Sequence, residues 1–314
     1  MTDEPDLGSA LRSLSAQGAL DLPHPGEGRT AERWRRLAEI SRSDVSIARL
    51  VEAHVDAVSI LHEAGRVATP SALYGVWAAE GSGTPLRLEG GIHPRLVGVK
   101  PFCTGAGLVD RALVTARVDG GVALVDVDAR DAAIRFDAAD WVVPAFAATQ
   151  TATATFDSVE AGDLVGTTGW YLDRVGFWHG ACGPAACWAG GVVGLVDRAV
   201  ELACAKDPEP HRDAHVGALA AIRWELLALL DRAGHEIDAA PTDLVAARVR
   251  ARSFRHLVDR AAAEAIDRFG RAFGPRPLVS DHDVIRRIAE VQLYVRQCHA
   301  ERDLEALGQE FRDS

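Results

Sequence analysis

The chain has 314 residues, 48% of them hydrophobic and 25% charged, enough apolar mass to bury more than one small core, so two or three structural units are expected. Its formal charge of -11, with no long Lys/Arg block, repels a phosphate backbone and removes nucleic acid from the partner classes. Residues 1–9 are acidic and lack an apolar run, and the longest apolar stretch, 181–196, is short and interrupted by Pro184. Neither a secretory leader nor a membrane span is expected, and a cytoplasmic location is. The five cysteines (Cys103, Cys182, Cys187, Cys204, Cys298) form no CxxC pair and are odd in number, which reads as reduced thiols.

In chain order, residues 8–20 have the composition of a short helix. The span 30–64 has the helical period, with a break near Ser41 and Ser43 or Asp44 placed to cap the second half. In that half Leu50, His54, Ala57 and Leu61 fall on one face. From Thr69-Pro70 the character changes. Short β-type runs at 75–79, 95–99, 112–118, 122–127, 141–144 and 151–156, punctuated by Gly and Asp, predict an antiparallel sandwich or barrel. Helical periodicity returns at 185–205, 215–237, 242–269 and 281–307, four long segments suited to a bundle. The expected class is therefore α+β: an N-terminal helical segment (1–70), a central β-domain (71–168) and a C-terminal helical bundle (169–314). The order lacks the strand–helix alternation of a doubly wound sheet.

Within the β-region, Leu96-Val-Gly-Val-Lys100-Pro-Phe102-Cys103-Thr104-Gly105-Ala106, followed by Asp110 and the run Leu113-Val-Thr-Ala116, resembles the β-domain signature of the acyl-CoA dehydrogenase superfamily. The preceding Gly75-Val-Trp77-Ala-Ala-Glu80-Gly-Ser82-Gly83 is similar to the flavin-dependent monooxygenase branch of that fold. So is the stretch Asp44-Val-Ser-Ile-Ala-Arg-Leu-Val-Glu-Ala-His54, and so is the stretch from Arg287 through Arg296-Gln-Cys-His299. The resemblance implies a flavoprotein with FAD, or alternatively FMN. Trp77, Phe102, Cys103, Thr104, Gly105 and Trp178 are then cofactor-binding candidates, and His54 and His299 are acid–base candidates approaching one cavity. It also implies a small-molecule or acyl-thioester substrate, a possible flavin reductase partner, and a homodimer or larger homo-oligomer. Protein donors beside a flavin ring would tune its electronics.

The dehydrogenase's C-terminal Glu-Gly-Thr base has no equivalent, and neither does the Arg-x-x-Phe-Gly element that holds the FAD adenine half. Dehydrogenation, oxygenation and a non-catalytic scaffold role all stay open at this level. A bland reading stands beside each candidate: His54 as a core histidine satisfied by backbone, Trp77 as packing, the Phe102–Gly105 turn as a hairpin. His211 and His215 have zinc-ligand spacing without a third ligand. Arg248, Arg250, Arg252 and Arg255 read as a solvated helix face. Ser82 lacks a nucleophile-elbow context.

Overall fold

The computed structural model describes residues 6–81 and 83–312; Ser82 lies outside them. Two compact units emerge, one formed by 6–22 with Leu50–Phe177, the other by Pro23–Arg49 with 178–312. The division falls inside a helix, so α3 contributes to both.

The first unit opens with α1 (Leu7–Ala16), whose first turn is capped by Asp6 accepting from the Gly8 amide. After α3 (Val45–Glu63) come seven strands: β1 (Tyr74–Trp77), β2 (Arg87–Glu89), β3 (Arg95–Cys103), β4 (Arg111–Val118), β5 (Gly121–Asp128), β6 (Ile134–Asp137) and β7 (Ala152–Glu160), then the short α4 (Trp170–Asp173). The strands form one sheet in the order β1-β4-β2-β3-β7-β6, with β5 on β4. The antiparallel barrel or sandwich expected from the sequence is corrected here. The sheet is mixed, since β1 and β2 both run parallel to β4, and it does not close. All of Ala112–Ala116 on β4 is buried, because both faces of a central strand are covered; such strands read as continuous apolar runs. The anticipated face of α3 does the covering: Ala57 and Leu61 pack with Ile60 on Tyr74, Leu113, Leu124 and Val165. Each of the leucine, isoleucine and valine side chains among them contributes about 1.5–3 kcal/mol on burial.

The strand expected at 141–144 is a loop instead. Val142 is 84% exposed, no neighbouring strand pairs with the segment, and the Trp141 indole Nε1 donates to Ala145 O at 2.9 Å, which closes a turn. Asp110, the acid of the resemblance motif, accepts from Arg12 and from the Leu73 amide, so it fastens α1 and the approach to β1 to the sheet.

The second unit holds α2 (Thr30–Ser43), the first turn of α3, and α5 (Val175–Gly180) from Trp178 onward. It continues with α6 (Cys182–Cys204), α7 (Pro210–Ala239), α8 (Leu244–Phe273), α9 (Pro275–Ser280), α10 (His282–Tyr294) and α11 (Glu301–Arg312). The predicted break before α3 is real, and Asp44 Oδ1 caps the new helix through the Ile47 amide at 2.9 Å. Pro184 sits in the first turn of α6, where its missing N–H costs nothing. Helix α6 is glycine-rich for a steric reason: a Cβ on Gly190 would lie 2.1 Å from the Ala38 carbonyl of α2. The helix expected over 281–307 is interrupted. A 3-10 turn at Val295–Gln297, extended Cys298 and left-handed Ala300 (φ 45°) separate α10 from α11, and the Asp303 carboxylate caps the restart by accepting from the His299 amide.

Candidate flavin site on the sheet

In the first unit β3 ends in a tight turn, and the turn is where the sequence candidates meet. Phe102 adopts φ 57°, a left-handed conformation that costs a non-glycine residue about 1–3 kcal/mol and is found chiefly where function demands it. Its ring is turned outward and is 58% exposed. Cys103 next to it points inward, fully buried, with its thiol on the Lys100 carbonyl. Burial pushes that thiol up to about 12, so it is an unreactive packing group at neutral pH. Thr104 offers its carbonyl to the Trp77 indole Nε1 at 3.0 Å, while its hydroxyl accepts from Thr151 Oγ1 at 3.1 Å. Gly105 (φ 80°) donates its amide to Thr149 O, and a Cβ there would crowd Val109 and Leu50. Trp77 is 1% exposed and packs edge-on against Phe136, so it supports the turn from behind.

The exposed face of Phe102 borders a cavity of about 540 Å³, within the range of small-molecule and cofactor sites. Three segments complete it. The first is the loop after β1, through residues 79–81 and 83–86. The second is the start of β7, with the hydroxyls of Thr151 and Thr153. The third is the end of β6 with its loop, supplying Asp137, Asp140 and Trp141. The first loop lies across β3, bridged at Pro85 and Val99. Gly98 (φ 123°) makes this approach possible, since a Cβ there would sit 2.5 Å from Pro85 O.

The walls carry Glu80, Asp137, Asp140 and the buried Lys100. Glu80 pairs with Lys100 Nζ (3.4 Å) and with Arg117 (3.1 Å). Burial alone would raise the Glu80 pKa, but the Lys100 charge and the Arg117 contact hold it below the usual value. Of these residues the sequence singled out only Phe102 as a ligand contact. The Gly81–Thr84 punctuation after an apolar strand and the Asp137-x-x-Asp140-Trp141 run were the available signals for the others.

These walls fit a flavin. An aromatic face suits a flat ring, threonine hydroxyls suit its heteroatoms, carboxylates can accept from ribityl hydroxyls, and a glycine-bearing loop lets backbone amides approach a phosphate.

The remaining candidates sit elsewhere. His54, 9% exposed in the first unit, accepts the Tyr74 amide on Nδ1 at 3.1 Å, so the neutral ring carries its proton on Nε2; it is absent from the cavity wall. Trp178 and His299 belong to the second unit. Arg252 stacks over Trp178 at 4.8 Å, and the His299 side chain is 66% exposed beside Asp303. Among the described residues no cluster has the make-up of a metal site, and no helix is long and apolar enough to cross a membrane.

No family model matches the sequence, and no curated protein matches it. Solved structures do. The chain superposes on KijD3, in complex with FMN and dTDP-3-amino-2,3,6-trideoxy-4-keto-3-methyl-D-glucose, with a TM-score of 0.81 and 17% identity over 96% of this chain and 85% of that one. TdsC of Paenibacillus sp. A11-2, a dibenzothiophene monooxygenase solved with FMN and indole, gives 0.77 and 16% over 98% and 95%. A nitrososynthase of Micromonospora carbonacea var. africana gives 0.79 and 16% over 96% and 88%. These likenesses show the fold: the chain has the acyl-CoA dehydrogenase-like architecture shared by flavin monooxygenases.

Proposed function

We propose that this protein is a flavin-dependent oxidoreductase of the monooxygenase type, acting on a small organic substrate with FMN in the cavity beside Phe102. The observation that carries the reading is Phe102 itself. A left-handed phenylalanine holding more than half its surface outward costs folding energy, and its return is an aromatic face on a ligand-sized cavity. FMN is favoured over FAD because KijD3 and TdsC carry FMN. A small organic substrate is preferred to an acyl thioester because TdsC is solved with indole.

When bound, reduced flavin supplies the electrons that activate dioxygen for transfer to substrate. The chain's own part is positioning and proton management. Phe102 orients a ring, and the Thr104–Thr151–Thr149 hydroxyl chain fixes donor directions. His54 holds a proton at Nε2, and His54 and the exposed His299 stand as acid–base candidates. A flavin reductase as electron donor, a homodimeric assembly and a cytoplasmic setting complete the proposal. The test is turnover with reduced FMN and oxygen across aromatic and amine substrates, read as substrate-dependent product. Retained flavin with no product from any substrate would instead support a non-catalytic role.

A further inference from the structure

Arginine dominates the basic residues of this chain. Of 34 only two are lysines, Lys100 and Lys206, and Lys100 is 2% exposed. A lysine buried in a chain that otherwise uses arginine marks a place where a compact, three-donor ammonium is required.

Lys100 leaves β3 beneath the cavity, and its three protons meet three acceptors: Thr115 Oγ1 on β4 at 2.9 Å, Ala79 O at 3.3 Å and Glu80 Oε1 at 3.4 Å. The last two belong to the loop after β1, which forms one whole wall. At its far end that loop is held by the Pro85–Val99 bridge and by the Arg117 amide on Leu86 O; near Glu80 it meets Arg117 on the outer side and Pro101 under Gly81, where a Cβ would lie 2.8 Å away. Lys100 is thus a buried side chain that joins β3, β4 and the wall at a single atom. A guanidinium is planar and longer, so it cannot converge on three acceptors at Nζ.

We infer that Lys100 is the positioning residue of this cavity, tying Ala79 and Glu80 down so that the wall has its ligand-binding shape only while the ammonium is charged. The charged and titratable groups that face it are Glu80 from the wall, Arg117 from β4 and the Cys103 thiol from its own turn. Burial, the largest effect, lowers the Lys100 pKa below the ordinary lysine value, and Glu80 opposes that shift. The clasp therefore loosens in the alkaline range before an exposed lysine would titrate.

The inference rests on the flavin reading for its ligand but not for its first measurement. Hydrogen exchange of the ligand-free protein should show amides 79–86 exchanging at least about tenfold faster in Lys100→Met than in wild type, with the helices of the second unit unchanged. Glu80→Gln, at a half-exposed site that does not threaten the fold, should move the same amides in the same direction by less.

FMN titrations should then show affinity lost about tenfold in Lys100→Met and not recovered in Lys100→Arg. Wild-type affinity should decline as pH rises below the lysine range, and that decline should be absent in the Met variant. Unchanged exchange at 79–86 in both Lys100→Met and Glu80→Gln overturns the inference even if FMN binds, as does full rescue by Lys100→Arg. If wild type takes up no FMN but exchange shifts as stated, the clasp stands and the flavin reading falls.

Discussion

Replacing Phe102 with glycine separates a residue kept for a ligand from one kept for the fold. Three contributions decide its effect on stability. Relief of the left-handed backbone (φ 57°) returns about 1–3 kcal/mol, against which glycine costs about 0.5–1 kcal/mol of unfolded-chain entropy. The ring is 58% exposed, so less than half of the ~1.5–3 kcal/mol of a fully buried phenylalanine is lost, about 1 kcal/mol. These nearly cancel, and urea denaturation of Phe102→Gly should give a stability within about 1 kcal/mol of wild type. FMN affinity, followed by quenching of flavin fluorescence, should drop about tenfold, since one ring face against a ligand is worth ~0.5–1.5 kcal/mol beyond its buried area. A stability loss above about 3 kcal/mol would make Phe102 an ordinary core residue, and unchanged FMN affinity would remove it from the site; either result refutes the argument.

Three further outcomes are expected. His54→Phe removes the acceptor of the buried Tyr74 amide and should cost about 1–3 kcal/mol in chemical denaturation; a neutral result would mean another acceptor serves that amide. Glu290 is buried, and desolvation raises its pKa above the ordinary 4.5 despite the Ser46 hydroxyl and the neighbouring Arg286. An acid with a raised folded pKa costs stability once pH climbs through that value and costs nothing below the unfolded one. Glu290→Gln should therefore raise the unfolding free energy at neutral pH by about 1 kcal/mol in chemical denaturation, and leave it unchanged below the ordinary 4.5; a loss at neutral pH would show the charge to be favourable. In thiol labelling of the native protein Cys204, the exposed cysteine, should react promptly, while Cys103 and Cys182, pushed up to about 12 by burial, wait for denaturant. Prompt labelling of Cys103 would mean that its turn opens to solvent.

The helices were legible because their signals are local. The Leu50–His54–Ala57–Leu61 stripe, the Asp44 cap and the apolar runs of α6 and α8 each state a period or a boundary within a few residues. Sheet topology is not local, and nothing within Gly75-Val-Trp77 says that β1 pairs parallel to β4. The strand misplaced at 141–144 shows the same limit, since β-branched residues with no partner edge fold as a loop. The short β2 and β6 went unseen because each takes its order from the strand beside it.

At the site, the turn from Phe102 to Gly105 was legible through small residues after an apolar strand. The rest of the cavity was not, because Asp137, Asp140 and Trp141 are brought to Phe102 by pairing of β6, β7 and β3, and Glu80 by the Pro85–Val99 bridge, contacts far apart in sequence. Lys100 stood within the recognised motif, but its worth is visible only from the three acceptors around Nζ.

The most direct test of the central claim is a titration of the purified wild-type chain with FMN, and in parallel with FAD, followed by flavin fluorescence and by the visible spectrum after gel filtration. The account predicts saturable one-to-one binding of FMN, tighter than FAD, with a perturbed flavin band that stays with the protein and is weakened in Phe102→Gly. Failure of both flavins to bind a folded wild-type chain would contradict it.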